Sequence, residues 1–594
     1  MQYSGWHQFF SPFAYIASFM VKFFLPSLSA YPVALTTPQS RKWVLPLFAM
    51  VIAAYIGLRL NEEVLTNLIL PLFPDEPDKS FAFYRDFVRL CVNEGLWLSG
   101  FLLAGWIIVV YTELPGRLLT LPTKNSLRWL YASGCAVFVG AVLIAVFTLE
   151  TFPNSADEYV YLYQAEMLSN GQLTGSAHPL KDFFHFAHIA QKDGVSVGRF
   201  PPGWPVLLSI PYLLNIPPWL LNPLLGIVTL WLFYHFCSRF YNANVAFWST
   251  IVMGLTGYYL LNAASYFSHL ACMLFTLGFV YFFYRHTEDR AVLHAWLAGT
   301  FLGAIVVTRY LNAVLIFVPF VAYLLHREKG SSLRTLFWMG LGGLPFVVFL
   351  GWYNFSITGD SFLPVTVWAD PQERLGFVKG HTVMKALDHT LRRIFLFLYW
   401  ASPAILILYF VYLFRKIKGR ASRFAHPEDY YLLLLFAGYF FYHHPGGNQY
   451  GPRFLFEALP FATAFVVRTA YASRQRWAVA LLAAGTLYAV VKLPYLLERE
   501  ARVIEERKDV YEKVQAAGLS NAVVFIDTHT GVIRPMPVRD LTRNGIGSVV
   551  PSVIYAEDRD DHNIELMNFY PDRKFYRYIR PDKETPEGQL LTIP

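Results

Sequence analysis

The chain has 594 residues, of which 55% are hydrophobic and 18% aromatic, while only 15% are charged. Soluble proteins carry about a quarter charged residues, so with a mean hydropathy of +0.37 this chain is solvated largely by lipid, and a wholly aqueous globular fold is excluded. The formal net charge of +8 matters less than its distribution, because basic residues at span ends set orientation in a membrane.

Residues 9–35 are apolar but contain Pro12, Lys22, Pro26 and Pro32 and lack a basic leader, which predicts an interfacial or partly inserted helix instead of a cleaved signal. Apolar runs follow at 43–60, 91–111, 129–149, 217–236, 245–263, 269–284, 291–308, 310–325, 335–352, 394–414, 430–442, 455–471 and 477–495. Most have the roughly 17 to 21 residues needed to cross the hydrocarbon. They predict an all-α polytopic membrane protein with about thirteen transmembrane helices.

Basic clusters occupy every second connection: Arg41 with Lys42, 117–128, Arg239, 285–290, 327–334, 415–423 and 474–476. Lys and Arg near span ends are retained in the cytoplasm, so the alternate loops at 61–89, 150–216 and 354–393 face outward, with the C-terminal tail. Residues 204–214, between Pro201-Pro202 and Pro217-Pro218, are too short to span and predict a helix on the outer interface. A full span there would invert the alternation downstream.

Beyond Tyr495 the composition changes. Residues 498–515 form a charged amphipathic helix pattern, 521–527 a buried-strand pattern and 552–556 a second strand. The expected organisation is an N-terminal extension over 1–128 with two spans, a transmembrane domain over 129–495 with an external loop at 150–216, and a small α/β extracytoplasmic domain over 496–594. Cys91, Cys135, Cys237 and Cys272 lie in or beside apolar segments without a CxxC pair, which predicts buried thiols. No Walker loop, GxGxxG or nucleic-acid patch is present, so nucleotide-powered chemistry and nucleic-acid partners are excluded.

The external stretch after residue 149 places two adjacent carboxylates, Asp157 and Glu158, where a membrane helix emerges into water. Their plainest role is that of solvated charges at a helix N-terminus. However, Tyr159, Tyr163, Ala165, Met167 and Leu168 give the following helix an apolar face, and Asn170-Gly171 closes it. The carboxylates are thereby held at the membrane surface, where lipid-linked and aqueous substrates meet.

Residues 198–205 form a rigid turn presenting Arg199, whose guanidinium suits a phosphate. Arg309 sits between two apolar runs with almost no loop, so a phosphate or carboxylate partner is expected. Residues 442–457 squeeze His443, His444, Asn448, Tyr450 and Arg453 between two outer span ends. One adjacent histidine pair without a third ligand at helical spacing is a weak metal signal, and no metal ligands are assigned. Tyr266 and His269 join the same cavity, or else form an aromatic belt with a capped histidine.

The order of an apolar span, Asp157-Glu158-x-x-Tyr161, a helix ending Met167-Leu168-x-x-Gly171, and Pro201-Pro202-Gly203-x-Pro205 resembles the first external loop of integral-membrane GT-C glycosyltransferases. The branch containing protein O-mannosyltransferases and the lipid A aminoarabinose transferase is the most similar. Tyr353-Asn354 with Gly359-Asp360-Ser361-Phe362 is similar to that family's loop after a mid-chain span, and Gly451-Pro452-Arg453-Phe454 with Pro460 to its late Gly-Pro-Arg-Tyr element. The resemblance covers most of 129–495. Two extra spans precede it, and the family's phosphate-contacting lysine has no match, Arg199 being the nearest substitute.

The resemblance implies transfer of a sugar from a polyprenyl-phosphate-linked donor to a hydroxyl or amine of a lipid, glycan or protein acceptor. It implies a multi-pass protein of the plasma (inner) membrane with its site on the periplasmic or extracellular face. Asp157 would be the base and Glu158 its helper, while Arg199, Arg309 and Arg453 would cradle the donor phosphate. Tyr161, Tyr266, His269, His443, His444, Asn448 and Tyr450 would line the cavity. No cofactor is required, although a divalent cation is compatible, and a single displacement would invert the anomeric centre. Two alternatives stay open: a transporter or flippase of a lipid or polar solute, and a membrane subunit that scaffolds through its C-terminal domain. A transporter calls for midplane ionisable or broken-helix sites and paired repeats, whereas the polar residues here cluster at outer span ends.

Overall fold

The computed structural model describes Gly100 and residues 126–594 apart from 328–329, 331, 420–424, 447–448, 474–475, 528–539, 546–550 and 580–587. The spans predicted at 43–60 and 91–111, the interfacial helix at 9–35 and Asn448 lie outside the described segments. The first long helix, α1 (Ser126–Leu143), runs through a π turn at Ile144–Thr148. After it come α2 (Ala156–Ser169), a small sheet of β1 (Gly175–Ser176), β2 (Ile189–Lys192) and β3 (Val195–Gly198), and α3 (Gly203–Leu213). Eleven residues at about 1.5 Å each are too few to cross a bilayer, which is the geometry expected of a helix lying at its surface.

The helical body continues through α4 (Leu221–Phe240), α5 (Ala243–Gly254), α6 (Gly257–Ala264), α7 (His269–Asp289), α8 (Val292–Thr308), α9 (Tyr310–Arg327) and α10 (Ser332–Thr358). It is completed by the short α11 (Val365–Ala369), α12 (Val383–Trp400), α13 (Pro403–Lys418), α14 (Tyr431–Tyr439), α15 (Leu459–Ala472) and α16 (Arg476–Ala516). Among the described residues, six helices are long and apolar enough to cross a membrane, and seven if the bent pair α6–α7 counts as one span. The protein is thus a predominantly helical, multi-pass membrane protein. Two of the thirteen predicted spans lie outside the described residues, and several of the others are shorter or divided helices.

The run at 245–263 divides into α5 and α6, because the Thr256 hydroxyl caps the second helix at the Tyr259 amide, 3.2 Å away. The run at 394–414 divides into α12 and α13 at Pro403, which cannot continue a helix from the preceding turn. The run at 430–442 yields only nine helical residues, and α8 has 17. Each is an apolar run whose periodicity gives no sign of the break.

Close packing of α8 on α10 rests on small residues, as in membrane helices that approach backbone to backbone. A Cβ on Gly299 would overlap the Met339 carbonyl oxygen, and one on Gly342 the Trp296 carbonyl oxygen.

Past α16, β4 (Ala522–Ile526) and β5 (Val553–Glu557) precede α17 (Asn563–Phe569), β6 (Lys574–Ile579) and β7 (Gln589–Ile593). The sheet order is β5-β4-β6-β7, with β4 parallel to both neighbours and β7 antiparallel to β6. Phe183 and Phe184 of the first loop pack into its core with Val523, Phe525 and Ile554.

Gly342→Ala is expected to cost about 1–3 kcal/mol through overpacking, lowering the thermal midpoint of the detergent-purified protein. Gly340→Ala, whose Cβ would meet nothing within 4 Å, is expected to leave it unchanged.

Candidate functional site

Ser155 starts α2: its hydroxyl accepts from the Glu158 amide at 3.2 Å and donates to Glu158 Oε2 at 3.2 Å. Asp157 and Glu158 therefore occupy the first turn, at the positive end of the helix dipole. Their side chains then diverge. Glu158 is buried, with Oε1 accepting from the Tyr266 backbone N–H at 2.9 Å, and burial pushes its carboxyl up to about 7. Asp157 keeps 20% of its side-chain surface exposed.

Glu158 thereby ties α2 to the break between α6 and α7, which meet at 111°. The other polar groups of that break are also taken. Trp204 Nε1 donates to the Tyr266 carbonyl at 2.8 Å, and Asn222 Nδ2 to the Ser265 and Phe267 carbonyls at 2.6 and 3.0 Å. The Tyr266 hydroxyl donates to the Thr151 carbonyl at 2.7 Å. Tyr266 is therefore part of a fully bonded joint, and non-helical backbone persists here because protein side chains satisfy it.

Asp157 Oδ2 lies 2.5 Å from Arg453 Nη1, and Oδ1 lies 3.0 Å from His188 Nε2. Burial alone would push its carboxyl up, but the Arg453 guanidinium and the His188 hydrogen bond hold it well below the usual carboxylate range. Asp157 is ionised at neutral pH, with both oxygens engaged. Arg453 also stacks over Phe267 at 4.4 Å. It is aimed by the turn before it, where Gly451 has φ +95° and no room for a Cβ against the Tyr258 ring, and where the Tyr258 hydroxyl donates to the Pro452 carbonyl at 2.6 Å.

Arg309, between α8 and α9, sits 3.3 Å from Glu457 Oε1, 3.4 Å from His269 Nε2, 3.3 Å from the Tyr439 hydroxyl and 3.5 Å from Ser268 Oγ. Its expected carboxylate partner is thus Glu457, which also takes His269 Nδ1 at 3.0 Å. Tyr161 joins through Ser268, hydroxyl to hydroxyl at 3.2 Å, and its ring packs on Phe200 at 4.7 Å. Phe267, Ser268 and His269 link Arg453, Tyr161 and Arg309 into one chamber. Tyr450 is fully buried, its ring 5.6 Å from that of Phe267.

Arg199 is elsewhere than expected. It pairs with Glu373 at 3.0 Å, and Lys379 reaches the same Glu373 oxygen at 2.5 Å and Asp370 at 2.7 Å. Burial opposes the charge, but His444, Arg199 and Lys379 together hold the Glu373 carboxyl far below its usual range. Tyr442 stands between this cluster and the chamber, 3.5 Å from Glu373 and packed on Phe454. His443 and His444 lie 3.5 and 3.8 Å from Glu373, not beside Asp157, and burial with His444 alongside lowers His443 to about 4. Glu373, His443 and His444 bring donor atoms within 4.8 Å of one another. A divalent cation there would meet Arg199 and Lys379 already on the one carboxylate, so these residues fit a metal poorly.

His188, Glu373, Lys379, Glu457 and Arg393 were not singled out by sequence pattern. His188 has a left-handed φ of +72°, an unusual backbone for a non-glycine residue at a site. Arg393 is fully buried and donates to the Tyr439, His444 and Pro445 carbonyls at 2.9, 2.7 and 3.0 Å. Like Arg309, it is a cation at the edge of an apolar run, and the same reasoning would have found it.

No family model and no curated protein matches this sequence. Solved structures with a similar chain course include ArnT from Cupriavidus metallidurans bound to undecaprenyl phosphate, at 13% identity over 75% of this chain and 93% of that one, with a TM-score of 0.47. The Archaeoglobus fulgidus oligosaccharyltransferase in complex with Zn and sulfate is 12% identical over 74% of this chain and 68% of that one, with a TM-score of 0.43. Both are GT-C glycosyltransferases, the group whose motifs the sequence resembles. Similarity at this level assigns neither a reaction nor a residue.

Glu158, raised from an ordinary 4.5 to about 7, contributes stability that is present below 4.5 and lost as pH rises through about 7. The thermal midpoint of the wild type is expected to fall more steeply between about pH 5 and about pH 8 than that of Glu158→Gln. Parallel curves would contradict a buried, protonatable Glu158.

Proposed function

We propose that the protein is an integral-membrane glycosyltransferase that moves a sugar from a polyprenyl-phosphate donor to a hydroxyl or amine on the outer side of the membrane. The observation that carries this reading is Asp157, ionised and partly exposed between Arg453 and His188, beside a chamber holding a second arginine, Arg309. A carboxylate paired with one guanidinium, with a second linked to it through Phe267, Ser268 and His269, suits a displacement in which a proton leaves the acceptor as a phosphate departs.

In that step the acceptor oxygen or nitrogen forms a bond to the anomeric carbon while the bond to the phosphate oxygen breaks. The electron pair leaves on the polyprenyl phosphate, the acceptor proton passes to Asp157, and the anomeric centre inverts. Arg453 Nε is buried without a hydrogen-bond partner among the described residues, and the Arg309 contacts are long at 3.3–3.5 Å, so both arginines have capacity for an incoming anion. A phosphate that draws Arg453 away also frees Asp157 and raises its basicity. Arg199 and Lys379, across Tyr442, are placed to meet the donor from the other side, while Glu158 orients α2.

The outward orientation is supported by the helix ends. Asp157, Ser268, Arg309 and Arg453 fall at the ends of α1, α7, α8 and α15 opposite those nearest Arg239, Arg285, Arg327 and Lys416. A transporter reading gains little from the α6–α7 break, because Glu158, Trp204 and Asn222 occupy its polar groups. The lipid, glycan or protein nature of the acceptor depends on cavity shape.

With purified protein and labelled sugar on a polyprenyl phosphate, Asp157→Asn is expected to reduce transfer by about 10²-fold or more, with folding and membrane insertion intact. Turnover near the wild-type rate would overturn the base assignment. Transfer is expected to persist in EDTA, since both Asp157 oxygens and Glu373 Oε1 already have protein partners; loss restored by a divalent cation would overturn the metal-free reading. His188→Ala removes one of the groups that lower the Asp157 pKa, so the acidic limb of the pH–rate profile is expected to move to higher pH.

A further inference from the structure

The helix α2 turns two faces to two different surroundings. Asp157 and Tyr161, spaced i and i+4, make the contacts described above, and Gln164 one turn on donates to the Phe200 carbonyl and the Tyr353 hydroxyl at 3.1 and 3.2 Å. Tyr159, Tyr163 and Glu166 repeat that spacing on another face and line a separate cavity of about 320 Å3, with Phe152, Tyr212 and Tyr511. Tyr212 comes from α3 and Tyr511 from α16, so three helices build the walls.

Arg543 also lines this cavity. Its guanidinium carbon lies 4.4 Å from the Phe152 ring centre, 5.2 Å from that of Tyr159 and 6.0 Å from that of Tyr511. Its Nε donates to the Asp540 carbonyl at 3.0 Å, but Nη1 and Nη2 are buried with no hydrogen-bond partner among the described residues. The nearby Asp540 carboxylate pairs instead with Arg507 at 3.2 Å. A guanidinium removed from water and faced by rings retains cation–π attraction, yet its outer N–H groups are left unmet. A carboxylate or phosphate accepts from that fork in bidentate fashion.

The remaining walls narrow the ligand further. A bare anion would leave four tyrosines and Glu166 unused, and a long aliphatic chain would bring nothing to the Glu166 carboxylate. A sugar ring uses all of them: its C–H face lies on tyrosine, its hydroxyls donate to Glu166, and an oxyanion substituent meets Arg543. The volume is at the lower end of small-molecule sites.

We propose that this cavity binds a saccharide bearing an anionic substituent, with Arg543 receiving the oxyanion and Tyr159, Tyr163, Tyr212 and Tyr511 holding the ring. The site stands independently of the Asp157 chamber and of any transfer reaction there.

The test is titration calorimetry with saturation-transfer NMR on the full chain in detergent micelles, using glucuronate, glucose 6-phosphate, glucose and acetate. At least one of the two anionic sugars is expected to bind about 10-fold or more tightly than both glucose and acetate, corresponding to one charge-assisted pair, with its ring protons saturated from the protein. Arg543→Gln is expected to reduce that affinity to the glucose level, while Asp157→Asn leaves it unchanged. The proposal is overturned if neither anionic sugar exceeds glucose, if acetate binds as tightly as the better one, or if a folded Arg543→Gln protein binds undiminished. The four-ligand comparison needs only the wild type, so a variant that fails to fold does not spare the proposal.

Discussion

The Asp157–Arg453 ion pair, closed at 2.5 Å between residues 296 apart in sequence, is the contact on which the rest of the chamber depends. It brings the first external loop to the late Gly451-Pro452-Arg453 turn, and it does so beside the α6–α7 break. Truncating either partner to an apolar side chain would leave the other's charge largely screened from water, a costly state, whereas an amide in its place still hydrogen-bonds. The surrounding geometry keeps both in place: the Ser155 cap and the buried Glu158 set the start of α2, and Gly451 with Tyr258 aims Arg453.

Membrane embedding sharpens this constraint. Backbone that leaves helical geometry among apolar helices must find partners within the protein, and the break at 265–268 finds them in Glu158, Trp204 and Asn222. The residues that rigidify the joint are thereby neighbours of the residues placed for chemistry. The charges follow the same economy, since Arg309 and His269 share Glu457, while Arg199 and Lys379 share Glu373. Arg309 and Arg199 each rest on a carboxylate in the free protein, and an entering phosphate would exchange one anion for another.

Much of this was legible in the residues themselves. Asp157-Glu158 beside an apolar run, Arg309 without a loop to solvate it, and Gly451-Pro452-Arg453 are local patterns, and the structure links them through Phe267, Ser268 and His269. The eleven-residue α3 between proline pairs was equally readable. What local pattern does not carry is partnership across the chain. His188 lies in a loop with no periodic signal, and Glu373 and Lys379 lie in an external loop whose sequence names no partner, so only tertiary geometry reveals that Arg199 belongs to them. The runs at 245–263 and 394–414 are divided at Thr256 and Pro403, breaks that leave their hydropathy unaltered.

The division of labour between the two adjacent carboxylates also comes from depth, not type: a single residue step, about 100° around the helix, separates a buried structural Glu158 from a partly exposed Asp157. The most direct measurement of the pair's role is a double-mutant cycle on sugar transfer from a polyprenyl-phosphate donor, with Asp157→Asn, Arg453→Gln and the double variant. If the two residues work as a unit, each single variant loses about as much rate as the double, leaving a large coupling energy. Losses that simply multiply, or an Arg453→Gln enzyme with undiminished transfer, would contradict it.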